Sequence, residues 1–453
     1  MDASLTRGPV RKHLLRMAVP MSIGMFFNTM LNVTDTFFAG KLGTESLAGM
    51  SASFSVFFLL TAFVSGIGTG VSALIANAIG RQEPSRVDQY TVNGLLLTLA
   101  VSLSLSIAGF LLSPFLLGVL GAEGEALIAG TRYVRCIYAG AVFFGINSTL
   151  NAFLSARGWT KPYRNFLIVG FVLNALLDPL LIFGWLGLPR LGTLGVAIAT
   201  VAVQLVGNLY LGYKVRCLLD LRLTRSSWRL VHLPRQMEIL AQGIPSALNS
   251  LTVAVGVFVI NLFIYRFGDD ASTAGYGAAM RLEQMALMPA LGLNAATLAL
   301  TGQNFGAGRL DRVRETFFAA LGIGLGIMSV GMVVIYPFAP FLIGLFNDDP
   351  LVVAEGTHYL RIEFLAFNAY IFLNVCLSVL QGLKKPRYAV WVGVYRQLAM
   401  PLLLFNVLGS AMGLGLTGVW WGIVATTWTG AAGMLLLTRF EYRRLVRLQR
   451  AEG

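Results

Sequence analysis

The sequence predicts an all-α integral membrane protein with about twelve transmembrane helices in two six-helix lobes. Of the 453 residues, 56% are hydrophobic and only 12% are charged, which is outside the usual range of soluble domains. Long apolar segments recur along the whole chain, and ten-residue segments with strand-like alternation are missing. Because backbone groups in hydrocarbon must be hydrogen-bonded internally, these three observations favour helices over a barrel.

Twelve apolar segments are candidates for the transmembrane helices. A helix needs ~20 residues to cross a hydrocarbon core of ~30 Å at a rise of ~1.5 Å per residue, and every segment is long enough. The first six are residues 14–38, 47–78, 92–120, 131–156, 163–185 and 193–215, and the second six are 239–267, 274–302, 316–346, 357–382, 388–412 and 416–439.

The formal charge of +13 is placed in a pattern that indicates membrane orientation. Basic residues gather in the amino-terminal segment, in every second loop and in the tail after Arg439, while the alternate loops carry mainly Asp and Glu. By the positive-inside rule the basic segments are cytoplasmic, so both termini face the cytoplasm of a bacterial inner membrane. This placement also argues against a nucleic-acid-binding surface.

The two halves of the chain repeat one another at an offset of about 225 residues. The matching positions occur in the same order in both halves. Pro20 matches Pro245, and Thr131, Tyr133 and Arg135 match Thr357, Tyr359 and Arg361 in turn. Lys161-Pro162 matches Lys385-Pro386. Six helices per half give both halves the same orientation, a parallel repeat that suits alternating access. We therefore expect an amino-terminal lobe at 1–213, a cytoplasmic linker at 214–236 and a carboxy-terminal lobe at 237–453.

Enzyme and cofactor motifs are missing from the sequence. There is no HExxH zinc motif, no GxSxG elbow and no Walker loop, and the three histidines are scattered along the chain. We expect no enzymatic activity and no cofactor. Without a phosphate-binding loop, transport by this chain would use an ion gradient instead of ATP.

Two carboxylates lie deep within predicted spans of the first half, where ionisable groups are costly and mark candidate functional sites. Counting ~1.5 Å per residue, Asp35 lies ~9 Å inward from Lys41, and Asp178 lies ~10 Å inward from Trp185. Asn174 precedes Asp178 by four residues on the same helix face. Thr200 lies at the same depth, ~10 Å from the start of the sixth span.

This set of Asp35, Asn174, Asp178 and Thr200 predicts an oxygen-rich cluster that could hold a proton or Na⁺. Burial and mutual repulsion favour the protonated form of two neighbouring acids, and a bound cation favours the ionised form. The alternative is that the two acids cap helix ends or face a water-filled vestibule. Pro20 predicts a kink in the helix that carries Asp35, and this kink could be a moving hinge or a static bend.

The second half departs from this pattern. Met400-Pro401 stands where Asp178-Pro179 would map, Arg396 stands where Asn174 would map, and the seventh span has no acid. We therefore expect the cation site in the first half only. The charges in the second-half spans are interpreted as interhelical pairs or snorkelled groups: Arg281, Glu283, Arg361, Glu363 and Arg396.

Over its whole length the chain resembles the multidrug and toxic compound extrusion (MATE) family, and its DinF-like bacterial branch in particular. The positions that carry the resemblance are Pro20, Asp35, the two Thr/Tyr/Arg repeats, Arg157-Gly158, Lys161-Pro162, Asn174, Asp178-Pro179, 281–284 and 303–308. The resemblance implies two lobes of six helices and antiport of H⁺ or Na⁺ against amphipathic, often cationic, drugs. It also implies that Asp35, Asn174, Asp178 and Thr200 form the cation site, with Tyr133 and Asn147 as supporting members.

Outside transporters the alternative is a receptor or an ion channel, which would be expected to show an attached sensory domain or a repeated filter sequence, and the sequence has neither. A flippase for lipid-linked precursors, of the same superfamily, is the second hypothesis, although fourteen helices and a basic cavity would be expected of it. Between the coupling ions the paired acids favour H⁺. The partners expected are the lipid bilayer and small-molecule drugs, without nucleic acid, and the chain is expected to work as a monomer.

Overall fold

The computed structural model describes residues 5–219 and 231–452, and their side chains over 5–217 and 231–451. In that part of the chain the secondary structure is helical, with no strand. Fourteen α-helices follow one another: α1 Val10–Gly40, α2 Thr44–Gly80, α3 Pro84–Val119, α4 Gly124–Ala139, α5 Ala141–Ala156, α6 Lys161–Phe183, α7 Thr193–Leu219, α8 Leu233–Phe267, α9 Asp270–Gly306, α10 Leu310–Gly344, α11 Pro350–Gly382, α12 Arg387–Val394, α13 Met400–Phe405 and α14 Gly415–Glu452.

These helices supply the predicted number of spans. Eleven helical segments are long and apolar enough to cross a membrane, and the pair α4 and α5 brings the number to twelve when it is taken as one span. The eleventh predicted span is the run Arg387–Ala411, in which π-helical turns follow α12 and α13. The all-α membrane fold is therefore confirmed.

The fourth predicted span differs from the prediction because it is broken at Gly140. Helices α4 and α5 meet there at an angle of 49°. A Cβ atom on Gly140 would lie 2.6 Å from the Cγ2 atom of Val201 on α7. Glycine thus allows α7 to pass close to the junction, a tertiary contact that the hydrophobicity of the segment does not reveal.

The chain divides into two compact units, Met1–Ser22 with Leu248–Gly453, and Ile23–Ala247. Each boundary falls two residues after a proline inside a helix, Pro20 in α1 and Pro245 in α8. The unit Ile23–Ala247 contains the rest of α1, α2 to α7 and the start of α8. The other unit contains the start of α1, the rest of α8 and α9 to α14.

The expected lobes 1–213 and 237–453, with a linker at 214–236, stay a prediction. Helix α7 continues to Leu219 and α8 already begins at Leu233, so parts of the expected linker are helical. Residues 220–230, which make up most of the remainder, lie outside the described residues.

In the unit Ile23–Ala247 the apolar core is divided into two clusters. One contains Leu31 of α1 and Val203 of α7, and the other contains Ala39 of α1 and Val196 of α7. Between the two clusters lie buried residues that belong to neither cluster, and Asp35 is one of these residues. This intermediate layer positions the polar residues described below.

Close helix packing in this unit depends on small residues, which leads to a stability prediction. A Cβ atom on Gly49 of α2 would lie 2.3 Å from the carbonyl oxygen of Ala126 on α4. We expect Gly49→Ala to force the helices apart and to destabilise the fold by about 1–3 kcal/mol. The measurement is the thermal unfolding temperature of the purified protein in detergent.

Gly118→Ala is the matched control, because a Cβ atom there meets nothing within 4 Å. Alanine is favoured over glycine in a helix by roughly 0.5–1 kcal/mol, so this variant should be as stable as the wild type or slightly more stable. Equal unfolding temperatures for the Gly49→Ala and Gly118→Ala proteins would contradict the close approach of α2 and α4.

Candidate functional site

Asp35 lies in the interior of α1 and its side chain is 1% exposed. The hydroxyl of Thr200 on α7 donates to Oδ2 of Asp35 at 3.1 Å, and the same hydroxyl lies 3.1 Å from the carbonyl oxygen of Val196 in its own helix. The threonine that was matched to Asp35 by depth alone is thus its direct hydrogen-bond partner. This contact joins α1 to α7 in the polar layer.

Asp178 and Asn174 approach the same point from α6. Both side chains are fully buried, and the Nδ2 atom of Asn174 donates to Oδ1 of Asp178 at 3.4 Å across one helical turn. The carboxyl groups of Asp178 and Asp35 lie within hydrogen-bonding reach of one another, and Asn174 also reaches Asp35. The four residues proposed from the sequence therefore meet in one cluster.

Three oxygen atoms of this cluster lack a hydrogen-bond donor. They are Oδ1 of Asp35, Oδ2 of Asp178 and Oδ1 of Asn174, and all three are shielded from solvent. A buried oxygen without a donor is costly, and the cost is higher for a carboxylate. The arrangement is therefore incomplete as it stands and would be stabilised by a proton or a cation among these oxygens.

The two supporting residues lie at different places. Tyr133 on α4 is buried close enough to Asp35 and Asp178 for their charges to act on its phenol group. Asn147 on α5 donates instead to Gln204 on α7, at 2.8 Å to its backbone oxygen and 2.7 Å to its side-chain oxygen. The structure thus places Tyr133 near the two acids and turns Asn147 to Gln204, one helical turn along α7 from Thr200, a glutamine that the sequence analysis did not single out.

The alternative interpretation of the two acids does not agree with these positions. Asp35 is five residues from the end of α1, and Asp178 is five residues from the end of α6, so neither is a helix cap. Both side chains are almost completely buried and therefore do not line an open vestibule. They are interior groups of a membrane-spanning helix bundle.

Pro20 lies inside α1, and the helix continues through it from Val10 to Gly40. A proline at this position removes one backbone hydrogen bond of the helix. The hydroxyl of Ser22, two residues later, lies 3.0 Å from the carbonyl oxygen of Ala18 and 3.3 Å from that of Pro289. The first part of α1 is thus fixed to α9, and the part that carries Asp35 belongs to the other compact unit.

Three polar residues of α1 near Asp35 were also missed by the sequence analysis. The side chains of Asn32, Thr34 and Thr36 donate to backbone oxygens four residues earlier, at 2.8 to 2.9 Å. Such bonds compete with the helix ladder and often bend a helix. The i, i+4 spacing of Asn32 and Thr36 in an apolar segment is a signal that could have found these two.

Two acids of the second half are paired with tyrosines. The hydroxyl of Tyr359 donates to Glu283 at 3.0 Å, and that of Tyr370 donates to Glu363 at 2.9 Å. Arg396, in the first π-helical turn, lies 5.5 Å from the ring centroid of Tyr370. Neither glutamate forms an ion pair within the described ranges. Glu283 and Tyr359 do form a pair between α9 and α11, and the interpretation of the second-half charges as interhelical pairs or snorkelled groups stays a prediction.

Two basic residues of α9 and α11 contact aromatic rings. Arg281 lies 5.8 Å from the ring centroid of Phe346, and Arg361 lies 5.5 Å from that of Tyr336. Arginine is attracted to the face of an aromatic ring, which allows the charge to lie beside apolar surface. These positions agree with the interpretation of the two arginines as snorkelled groups.

The donor set of the amino-terminal cluster fits a proton or an alkali cation. Carboxylate, amide and hydroxyl oxygens are ligands for hard cations, while thiols and imidazoles, which transition metals prefer, are not among them. Within the residues described, no group of three or more His, Cys, Asp or Glu side chains could hold a metal ion. The cluster therefore has the groups to take up and release a proton or to bind an alkali cation.

Comparison with known proteins identifies the family. The family model MatE matches residues 20–180 and 245–404, one match in each half of the sequence repeat. A FAD transporter of Shewanella oneidensis is 28% identical over 415 residues, covering 90% of this chain and 89% of its own length. The probable multidrug resistance protein NorM of Pseudomonas syringae is 26% identical over 446 residues, covering 96% and 95%.

A solved structure with the same fold is that of a MOP superfamily transporter from Pyrococcus furiosus. Its TM-score is 0.92 at 26% sequence identity, with 98% of each chain covered. Because the family model matches most of the chain, on both sides of the internal repeat, and because MatE proteins are transporters and not enzymes, this chain is a multi-pass membrane transporter of the MatE family.

Proposed function

We propose that this transporter is a secondary active exporter of amphipathic and cationic organic compounds, driven by antiport of H⁺ or Na⁺, with H⁺ favoured. The observation that carries the proposal is the buried cluster of Asp35, Asp178, Asn174 and Thr200, in which three oxygens lack a donor. An ion gradient can be used only by a protein that binds the ion inside the membrane. This cluster has the depth and the ligands for that step.

Repulsion between the two carboxylates explains how ion binding could bias the protein. Two ionised carboxylates in hydrogen-bonding reach strongly repel one another in a medium of low dielectric constant. A proton shared by Asp35 and Asp178 removes the repulsion and makes one carboxyl a donor for the other. The empty and loaded clusters therefore favour different packings of α1 against α6 and α7, which is the requirement for coupling.

The carboxylate pair favours H⁺ over Na⁺ as the coupling ion. One proton satisfies two acids with one hydrogen bond, while Na⁺ needs several oxygens in a suitable geometry. Thr200 also lies within hydrogen-bonding distance of the Val196 carbonyl, so its hydroxyl can donate to only one of the two oxygens at a time. Tyr133 can supply a further oxygen, so a Na⁺ site would involve α1, α4, α6 and α7.

The relatives support export of organic molecules but differ in their substrates. The two named above are a FAD transporter and a probable multidrug resistance protein. The lipid-linked precursor flippase receives no support from them. We propose an inner-membrane location with both termini in the cytoplasm, and a monomer as the working unit, since one chain carries both repeats.

The proposed function is tested with the purified protein in liposomes. We expect a fluorescent organic cation to move against its gradient when an inward-directed proton gradient is imposed, and we expect no movement after a protonophore is added. A parallel series uses FAD as cargo, and another replaces the proton gradient by a Na⁺ gradient at equal pH. Transport that needs only Na⁺ would reverse the ion assignment, and transport that ignores both gradients would contradict antiport.

A further inference from the structure

A groove on the outer surface of the unit Leu248–Gly453 has features of a lipid-binding site. It lies among α10, α11 and α14 and has a volume of about 550 Å³, within the range of ligand-binding pockets. Its walls are mainly aliphatic and aromatic, with Phe318, Leu321, Phe372 and Leu435 among the lining residues. Phe318 is 57% exposed and Leu435 is also exposed, so the groove is open to the surroundings of the protein.

Three arginines line one end of this groove: Arg314, Arg439 and Arg443. Arg314 lies one turn after the start of α10, and the other two lie four residues apart on one face of α14. From Arg314 the apolar wall continues along α10 to Leu321, ~10 Å deeper at a rise of ~1.5 Å per residue. The groove is therefore basic at one end and apolar along the rest of its length.

The acids on the neighbouring turns are engaged elsewhere. Glu315 pairs with Arg312 at 3.9 Å, and Glu441 pairs with Arg444 at 3.7 Å. Arg314 lies over the ring of Phe318 at 5.7 Å from its centroid. Within 5–217 and 231–451, Arg439 and Arg443 form no hydrogen bond or ion pair, so the positive end of the groove lacks a protein counter-ion.

An anionic phospholipid matches this arrangement of charge and apolar surface. Guanidinium groups bind phosphate oxygens through paired, charge-assisted hydrogen bonds. Basic pockets between helices on the cytoplasmic side are suited to anionic headgroups, and the positive-inside rule assigns this end of the bundle to the cytoplasmic leaflet. The phenyl and aliphatic side chains along the groove would contact an acyl chain at the depth of the hydrocarbon.

We propose that the groove binds an anionic phospholipid of the cytoplasmic leaflet, with its phosphate at Arg314, Arg439 and Arg443 and an acyl chain between α10 and α14. The site lies in the unit that does not contain the Asp35 cluster, and it does not depend on the identity of the coupling ion or of the exported compound. It would fix the carboxy-terminal helix α14 to α10 through a shared ligand.

The test is lipid binding to the purified full-length protein, measured by native mass spectrometry in detergent with added cardiolipin, phosphatidylglycerol or phosphatidylcholine. We expect the wild type to bind the two anionic lipids about tenfold more tightly than the zwitterionic one, because the choline cation of phosphatidylcholine offsets its phosphate charge and is repelled by the three arginines. The variant carries Arg314→Gln, Arg439→Gln and Arg443→Gln, which keep most of each side-chain stem. It should lose this preference.

The matched control removes the same charge from exposed arginines that do not line the groove, with Arg11→Gln, Arg447→Gln and Arg450→Gln. This protein should keep the preference for anionic lipids. The proposal is overturned if the groove variant binds anionic lipids as the wild type does, if the control loses binding equally, or if phosphatidylcholine binds as tightly. Unfolding temperatures of both variants without added lipid verify that each is folded.

Discussion

Asp35→Asn is expected to abolish ion-driven efflux while the protein still folds and reaches the membrane. Asparagine has the same shape and can still accept the hydrogen bond from Thr200, so the packing of α1 against α7 should be kept. The amide cannot take up or release a proton, and it removes the repulsion with Asp178. Coupling free energies between two binding sites are typically about 1–3 kcal/mol, which corresponds to a change in affinity of about 5- to 150-fold. We therefore expect gradient-driven efflux to fall by about 100-fold.

The measurement is drug accumulation in cells and gradient-driven uptake in liposomes at matched protein amounts. Asp348→Asn serves as the control, because Asp348 is an exposed acid in the loop between α10 and α11. This variant should transport as the wild type does. Normal efflux by the Asp35→Asn protein would remove Asp35 from the coupling site.

Pro20→Ala should make the protein more stable and less active. Restoring a helix hydrogen bond in α1 and removing the clash of the proline ring is worth up to about 3 kcal/mol in a helix interior. The same change stiffens α1 two residues before the boundary between the compact units. If α1 bends there when the Asp35 cluster changes its protonation, a stiffer helix should slow transport. Moving the equilibrium between the straight and bent helix from 1:99 to 99:1 needs about 5.5 kcal/mol.

Spin labels at Phe26→Cys on α1 and Val172→Cys on α6 report this motion, because both side chains are exposed. The labelled proteins are made in a variant in which the three free cysteines are replaced by serine. The distance should change between neutral and mildly acidic pH in the wild type and stay constant in Pro20→Ala. Pro114→Ala, which removes a proline inside α3 of the same unit, should keep the change. A full pH-dependent shift in the Pro20→Ala protein would mean that the bend is static.

Much of the fold could be predicted because membrane helices follow a simple rule of length and hydrophobicity. The same rule located the cluster, since a fixed rise per residue places Asp35, Asp178 and Thr200 at equal depth, and the structure brings Thr200 within 3.1 Å of Asp35. Depth, however, contains no information about rotation around the helix axis. Asn147, which the resemblance implies as a supporting member, turns to Gln204.

The break at Gly140 and the tyrosine partner of Glu283 could not be predicted for a related reason. Each depends on which neighbouring helix comes close: Val201 of α7 at the break, and Tyr359 of α11 at Glu283. A single sequence records which residues are polar, but it does not record which polar residues meet.

The most direct test of the central claim, that the coupling proton binds at Asp35 and Asp178, is the number of protons released when an organic cation binds to the purified protein. It is obtained from calorimetric titrations in buffers of different ionisation enthalpy. The wild type and Glu363→Gln should release protons on binding, and Asp35→Asn should release none. Unchanged proton release in Asp35→Asn, or its loss in Glu363→Gln alone, would place the coupling site elsewhere and contradict the account.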